Sequence, residues 1–256
     1  MVTFQELIMI SREFNEFTCL VTQHDHAQVS LDIFNMMNES LKSKSNNIPD
    51  LQYAIRNHDC GWIEYDLYPK LSDNNLIYTF QNMENHLQLE LWLKSVSSSI
   101  NPYSSLLISE HFKFLANQSK TLDITLKKDF IKKSDQLISN MFRGHKIPSI
   151  ETDNFKLELS ILQCCDLISL VLCREKKLKS DLYPSIFIDS KTNFDYSMNF
   201  IEDSIVKFSG GFLERKENFL EVPYRQIETD LLSEPKKIKE EFKNSRVKFR
   251  RIYLVN

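Results

Sequence analysis

Glycine and proline are scarce in this chain, and their scarcity limits the folds open to it. The 256 residues include four glycines and seven prolines. These two residues supply many of the tight turns that a many-stranded sheet requires, and proline also interrupts helices. Long helices therefore suit the sequence better than a sheet of many short strands.

Six segments show the spacing of amphipathic helices, with apolar residues three, four and seven positions apart. The clearest apolar stripe consists of Leu89, Trp92, Leu93, Val96 and Ile100. The predicted helices cover residues 26–42, 50–60, 85–100, 104–118, 123–142 and 153–176. The polar stretch 42–47 and the segment 67–80, which contains Pro69, are expected to be irregular.

The two ends of the chain differ from the helical middle. Four segments there are strand-like: Leu7–Ile10, Phe17–Thr22, Phe219–Ile227 and Val247–Val255. A short helix is predicted between the last two, with Ser233 as its cap and Pro235 at its second position. We therefore predict a mainly α (α+β) fold with a small, mostly antiparallel sheet formed by the N- and C-terminal segments. The whole chain, residues 1–256, is expected to be a single domain, with a helical core over residues 24–176 and a C-terminal α+β extension over residues 177–256.

Composition excludes several classes of partner. A hydrophobic content of 42% in a chain of this length is enough for one sizeable core. The net charge of -3 gives no electrostatic footprint for nucleic acid. No apolar run approaches the ~20 residues of a membrane span, and the first residues lack the pattern of a signal peptide.

The five cysteines are odd in number and form no CxxC pair, which argues against a disulfide framework or a structural zinc site. We therefore expect a cytoplasmic protein.

Potential metal ligands lie on the apolar faces of these helices. His58 follows Leu51 and Ala54 by seven and four residues, so its imidazole shares their face. Asp59 lies one step further round the helix, which Gly61 is expected to end. Burial of an unpaired imidazole or carboxylate is costly, and a bound metal ion would supply the missing partner.

Two further segments direct similar groups toward the core. Asp166 follows Leu159 and Leu162 by seven and four residues, and His26 borders the apolar face that continues at Ile33. Together with the His-Asp pair, these residues offer two imidazoles and two carboxylates. Such a set suits manganese, iron, cobalt, nickel or zinc better than calcium, which prefers an all-oxygen shell.

The order of these residues resembles the HD-domain superfamily of metal-dependent phosphohydrolases. The surrounding motifs, QxDHA and HDxGWxxxDxxP, are similar to those of an uncharacterised bacterial and archaeal family of HD type. The resemblance spans residues 20–175 and implies an HD-like helical core in which His26, His58, Asp59 and Asp166 bind one divalent transition metal ion. It also implies hydrolysis of a phosphoester, with Asp59 orienting the nucleophilic water or bridging two ions.

His111 is a candidate fifth ligand. It follows Leu107 and precedes Leu115 by four residues each, so it faces the same side as these leucines. Some HD proteins use extra histidines between the HD pair and the last Asp to hold a second metal, so the resemblance implies one or two ions. His111 would then be a ligand or a substrate contact. A core histidine bonded to a backbone carbonyl explains its position equally well.

Four residues beside the motifs are expected to bind substrate at the mouth of the site: His24, Trp62, Glu64 and Asp66. Trp62 can stack on a ring of the substrate, although anchoring the loop is the simpler interpretation. Glu64 or Asp66 can handle a proton or a second ion.

The leading functional hypothesis is a metal-dependent phosphohydrolase acting on a small phosphorylated metabolite or nucleotide. Two alternatives stay open: an HD-fold di-iron oxygenase, and a metal-stabilised binding or sensor protein without catalytic function. A buried polar network without metal would also account for the ligand set. A homodimer is compatible with the sequence, which does not test it.

Overall fold

Eight α-helices lie in the part of the chain that the structure, a computed structural model, describes: residues 10–67, 83–174, 181–182 and 184–256. They are α1 (Gln23–Met36), α2 (Glu39–Lys42), α3 (Ile48–Asn57), α4 (Asn85–Ser98), α5 (Pro102–Gln118), α6 (Ile124–Met141), α7 (Asp153–Arg174) and α8 (Pro235–Asn244). All six predicted helical segments contain a helix. Among the described residues, no helix is long and apolar enough to cross a membrane.

Two predicted helices are longer than the observed ones. In both cases the observed helix ends before a polar side chain that caps the next helix. The segment 26–42 is divided into α1 and α2 because Asn38 caps α2, its side chain accepting a hydrogen bond from the Ser40 amide, and Met37 pairs with Leu213. The predicted helix 85–100 ends at Ser98, and Ile100 is 84% exposed in the linker to α5. Ile100 therefore does not belong to the apolar stripe.

Nine strands accompany the helices in the described ranges: β1 (Ile10–Glu13), β2 (Phe17–Val21), β3 (Asp181–Leu182), β4 (Ile186–Asp189), β5 (Thr192–Phe194), β6 (Ser197–Glu202), β7 (Ile205–Ser209), β8 (Glu217–Glu228) and β9 (Lys248–Val255). Seven of them form one sheet in the order β1-β2-β8-β9-β7-β6-β3, and β4 and β5 form a separate pair. The β7 and β9 strands are parallel, while the other neighbours in the sheet are antiparallel.

The prediction of a mainly α fold with a small, mostly antiparallel sheet is wrong. About 52% of the described residues are helical and 22% lie in strands, and the large sheet is curled and mixed. The difference lies in the segment 181–209, whose strands β3, β6 and β7 enlarge the sheet and whose strands β4 and β5 form the separate pair. The turn between β4 and β5 contains neither glycine nor proline: the Asp189 carboxylate makes it by accepting hydrogen bonds from the amides of Lys191 and Thr192.

The strands predicted near the chain ends have different outcomes. Those expected at Phe17–Thr22, Phe219–Ile227 and Val247–Val255 are confirmed as β2, β8 and β9. Residues 7–9 of the first predicted strand lie outside the described residues, and β1 begins at Ile10. The segment 67–80 also lies outside them, apart from residue 67. The helix after β8 begins at Pro235 with Glu234 at its N-cap, so Ser233 is not the cap.

The helix α7 is central to the packing. It contacts α1, α3 and α5 on the helical side, and β1 and β4 on the strand side. Buried side chains from residues 24–176 and from residues 177–256 belong to one hydrophobic cluster. The helices that carry the candidate ligands are thereby held against a common core.

A buried carboxylate joins three of these elements. Glu158 of α7 is fully buried and accepts hydrogen bonds from Ser45 Oγ at 2.7 Å and from the Tyr103 hydroxyl at 2.5 Å. Asn154 Nδ2 donates to it at 2.9 Å, and Asn47 donates through both its backbone and side-chain nitrogens. Burial, together with Glu158, raises the pKa of the Tyr103 phenol, which stays a donor. The loop after α2 is thus fixed to α5 and α7.

Glu158→Ala is expected to lower the free energy of unfolding by about 3 kcal/mol or more, because it leaves several buried donors without an acceptor. Urea unfolding followed by circular dichroism measures the change. Glu90→Ala, at an exposed position of α4, is the matched control and should change stability by less than ~0.5 kcal/mol. Equal stability of the two variants would contradict a structural role for the Glu158 network.

Candidate metal centre

The start of α1 fixes His26. The Thr22 side chain caps the helix by accepting a hydrogen bond from the Asp25 amide at 3.0 Å. The Asp66 carboxylate, from the far end of the second motif, accepts one from the Gln23 amide at 2.7 Å. These contacts satisfy amides in the first turn, so His26 enters the core from a well-defined helix end.

The second motif lies where α3 ends and a 3₁₀ turn (Cys60–Trp62) begins. His58 is the C-cap of α3, so the helix ends before Gly61 rather than at it. Gly61 has a different role: its amide donates to Ser95 Oγ at 2.9 Å, and an added Cβ would lie 2.3 Å from the Leu91 carbonyl oxygen. Only glycine allows the turn to approach α4 so closely.

Four elements bring the five predicted ligands together. His26 comes from α1, His58 and Asp59 from the end of α3, His111 from α5 and Asp166 from α7, and all five are buried. Two overlapping groups have ligand atoms within 4.8 Å of one another: His26, His58 and Asp59, and His58, His111 and Asp166. The burial of His58, His111 and Asp166 agrees with the apolar faces on which the sequence spacing placed them.

The distances between donor atoms suit a single bound ion. His26 Nε2 and His58 Nε2 are 3.2 Å apart. Asp166 Oδ1 lies 3.1 Å from the first and 3.4 Å from the second, and Asp59 Oδ2 lies 3.3 Å and 3.4 Å from them. Atoms that bind one ion at about 2.0–2.2 Å are about 3.0–3.5 Å from one another.

The hydrogen bonds on the far sides of the rings set the protonation of both histidines. His58 Nδ1 donates to the Ile55 carbonyl at 2.8 Å, which leaves a lone pair on Nε2. Ser169 Oγ donates to the Asp166 carbonyl at 2.8 Å and accepts from His26 Nδ1 at 2.5 Å. Both Nε2 atoms therefore face each other and two carboxylates, and each is free to bind a proton or a metal ion.

This arrangement of lone pairs attracts positive charge. Burial alone would lower the pKa of His26, but its hydrogen bonds to Asp166 and Asp59 outweigh burial and raise the pKa to about 9. Burial opposes ionisation of Asp166, yet the neighbouring imidazoles hold its pKa below the usual range. A divalent cation would supply the same positive charge next to these carboxylates, so the donor set fits a bound metal ion.

His111 stands at the edge of the centre without a hydrogen-bond partner in the described residues. Neither ring nitrogen bonds to a backbone carbonyl, although the residue is 1% exposed. Its Nε2 lies 3.4 Å from Asp166 Oδ2, and burial lowers the pKa of the ring to about 4. A neutral imidazole with a free lone pair is suited to bind an ion or a substrate.

Of the four residues expected at the mouth of the site, Trp62 alone is among the described residues that line a cavity beside the centre. Its side chain is buried. Glu64 is exposed and pairs with Lys94 at 2.5 Å, and His24 is half-buried; neither is among the described residues that line the cavity. The Asp66 carboxylate binds the start of α1, and burial raises its pKa to about 8.

The cavity beside the centre has about 330 Å³ of empty space when the part open to solvent is included. Seven side chains complete its lining beside the five candidate ligands: Gln23, Trp62, Gln88, Trp92, Phe112, Leu115 and Leu170. The rings of Trp92 and Phe112 stack with centroids 5.0 Å apart. Gln88 was missed in the sequence, yet it lies four residues before Trp92 on the apolar stripe of α4, where a polar residue is unusual.

Comparison with known proteins identifies the family. A family model described as a protein of unknown function, DUF3891, matches residues 9–229. The chain belongs to the DUF3891 family. No curated protein and no solved structure matches the chain. The DUF3891 match covers every residue of the metal centre, and the HD-domain resemblance stays a prediction.

Asp166→Ala should abolish binding of a divalent transition metal and leave most of the helix content intact. The variant removes a carboxylate that lies within 3.4 Å of all three imidazoles but no apolar packing. Metal analysis after dialysis, together with circular dichroism, measures both quantities. The control is Asp129→Ala, an exposed position of α6, which should bind as much metal as the original protein. Full metal content in Asp166→Ala would exclude this centre.

Ser169→Ala should weaken metal binding by about 10- to 100-fold, because the hydroxyl orients His26 through Nδ1. Competition with a metal-sensitive dye measures the affinity. Ser98→Ala, at the exposed end of α4, is the control. If the two alanine variants bound metal equally well, the orienting role of Ser169 would be excluded.

Proposed function

We propose that the protein is a metal-dependent phosphohydrolase that acts on a small phosphorylated metabolite or nucleotide. The observation that supports it most is the approach of two carboxylates to a pair of imidazoles. The Nε2 atoms of His26 and His58 lie 3.2 Å apart, and Asp59 Oδ2 and Asp166 Oδ1 each lie 3.1–3.4 Å from both of them. The four residues line one cavity. The HD-like order of the same residues in the sequence supports the same reaction.

In this proposal the four residues hold manganese, iron, cobalt, nickel or zinc. When bound, such an ion lowers the pKa of water and polarises a phosphoryl oxygen. Asp59 holds the attacking water and accepts its proton, since it is both a ligand and part of the cavity lining. His26 and His58 keep their Nε2 atoms directed at the centre through their Nδ1 hydrogen bonds.

The environment of the centre suits hydrolysis of a confined substrate. Leu115, Leu170 and the stacked rings of Trp92 and Phe112 form apolar walls on the cavity. Apolar walls exclude bulk water and strengthen the electrostatic interactions inside. None of the five cysteines, all described, forms a disulfide, and a reducing cytoplasmic location is part of the proposal.

One observation favours a second candidate, an HD-fold di-iron oxygenase. His111 has a free Nε2 beside Asp166 Oδ2, where a second ion would find an imidazole and a bridging carboxylate. The first candidate is better supported because His58 belongs to both ligand groups but has only one nitrogen to offer. A metal-stabilised binding protein without turnover is the remaining alternative.

With manganese, cobalt or nickel supplied, the protein should release inorganic phosphate from a phosphoester, and Asp59→Ala should abolish the release. A screen of phosphorylated metabolites with colorimetric phosphate detection measures it, and Asp129→Ala is the control that should retain full activity. The assay is repeated without oxygen. Oxygen-dependent turnover without phosphate release would favour the oxygenase, and tight metal binding without any turnover would favour the binding protein.

A further inference from the structure

Two buried N–H groups, on side chains that line the cavity, have no hydrogen-bond partner in the described part of the chain. They are the indole Nε1 of Trp62 and the amide Nε2 of Gln88, and each residue is 1% exposed. An indole nitrogen can only donate, and a buried donor without an acceptor is destabilising by about 1–3 kcal/mol. Unpaired donors in a cavity point to an acceptor on a ligand.

The fold holds both groups beside the metal centre. Trp62 follows Asp59 in the 3₁₀ turn, and its backbone amide donates to the Asp59 carbonyl at 3.1 Å. Gln88 lies on α4, the helix that Gly61 approaches at Leu91. This close approach fixes the turn against α4, so Trp62 and Gln88 line the same cavity.

The charge of the cavity lining is the second observation. Within residues 10–67 and the other described ranges, no Lys or Arg lines the cavity. The two carboxylates, Asp59 and Asp166, balance the charge of one divalent ion. A bound phosphoryl group would therefore have oxygens that neither the ion nor a cationic side chain holds.

We propose that Trp62 Nε1 and Gln88 Nε2 donate hydrogen bonds to a phosphoryl oxygen of the substrate, and that these neutral donors restrict the centre to phosphomonoesters. The proposal rests on the proposed function and specifies its substrate class. A triphosphate carries several negative charges, which two neutral donors compensate poorly. A single phosphoryl group needs only the ion and these two donors.

The remaining walls define the other half of the substrate. Trp92 and Phe112 present stacked rings, and Leu115 and Leu170 are aliphatic. The substrate class is therefore a phosphomonoester of an uncharged alcohol with a flat or apolar body.

The test uses the full chain loaded with zinc, and inorganic phosphate is the probe. Trp62→Phe removes the indole N–H but keeps an aromatic ring, and Gln88→Leu removes the amide donor at nearly constant volume. Each variant should bind phosphate about 10-fold more weakly by calorimetry, because a hydrogen bond to a charged oxygen is lost. Zinc content should stay unchanged. Gln136→Leu, exposed on α6, is the control and should bind phosphate normally.

A spectroscopic measurement reports on the donor itself. The chain has two tryptophans, so indole ¹⁵N labelling gives two N–H signals, and Trp62→Phe identifies one of them. Phosphate should shift that signal downfield in the zinc-loaded protein. If Gln88→Leu does not fold, Gln88→Glu replaces it, since a carboxylate at this position should also weaken phosphate binding.

The outcomes separate this inference from the proposed function. Phosphate affinity within twofold of the original protein in both variants, or no shift of the Trp62 signal, overturns the donor role even if phosphoester hydrolysis is found. Absence of both metal binding and hydrolysis overturns the proposed function instead. Phenyl phosphate should be hydrolysed with a kcat/KM at least 10-fold above that of adenosine triphosphate, and equal values would overturn the substrate class.

Discussion

Burial of the lone pairs of His26 and His58 beside two carboxylates is the constraint on which the rest of the structure depends. Both rings bond outward through Nδ1, to the Ile55 carbonyl and to Ser169, so the facing Nε2 atoms share the space between them with two carboxylates. Acceptors gathered in this way in a water-poor core repel one another unless a proton or a cation lies between them. The capped start of α1 and the turn at Gly61 hold the groups in this arrangement.

The candidate centre could be predicted from sequence more fully than the cavity around it. Helical periodicity fixes which face a residue occupies, so His58 and Asp166 could be placed inside from their apolar neighbours alone. The orientation of residues in a turn depends on tertiary contacts, and Glu64 pairs with Lys94 at the surface instead of facing the substrate. Gln88 was missed because a single amide on an apolar stripe does not reveal what it faces.

The fold was predicted less well, for a reason that lies in turn chemistry. Scarce glycine and proline indicated few strands, but side chains such as Asp189 make the turns of this chain. The strands β6 and β7 are short, with five or six residues each, and give weak periodic signals. The longer segments that became β8 and β9 alternate clearly enough to be recognised.

The strands β2 and β8 are neighbours in the sheet but are synthesised at different times. His26 lies a few residues after β2, yet the strand beside β2 is encoded near the other end of the chain. The ribosome therefore synthesises His26 well before β8, the strand that pairs with β2. The nascent chain therefore exposes the β2 edge of the sheet until residues 217–228 have been synthesised.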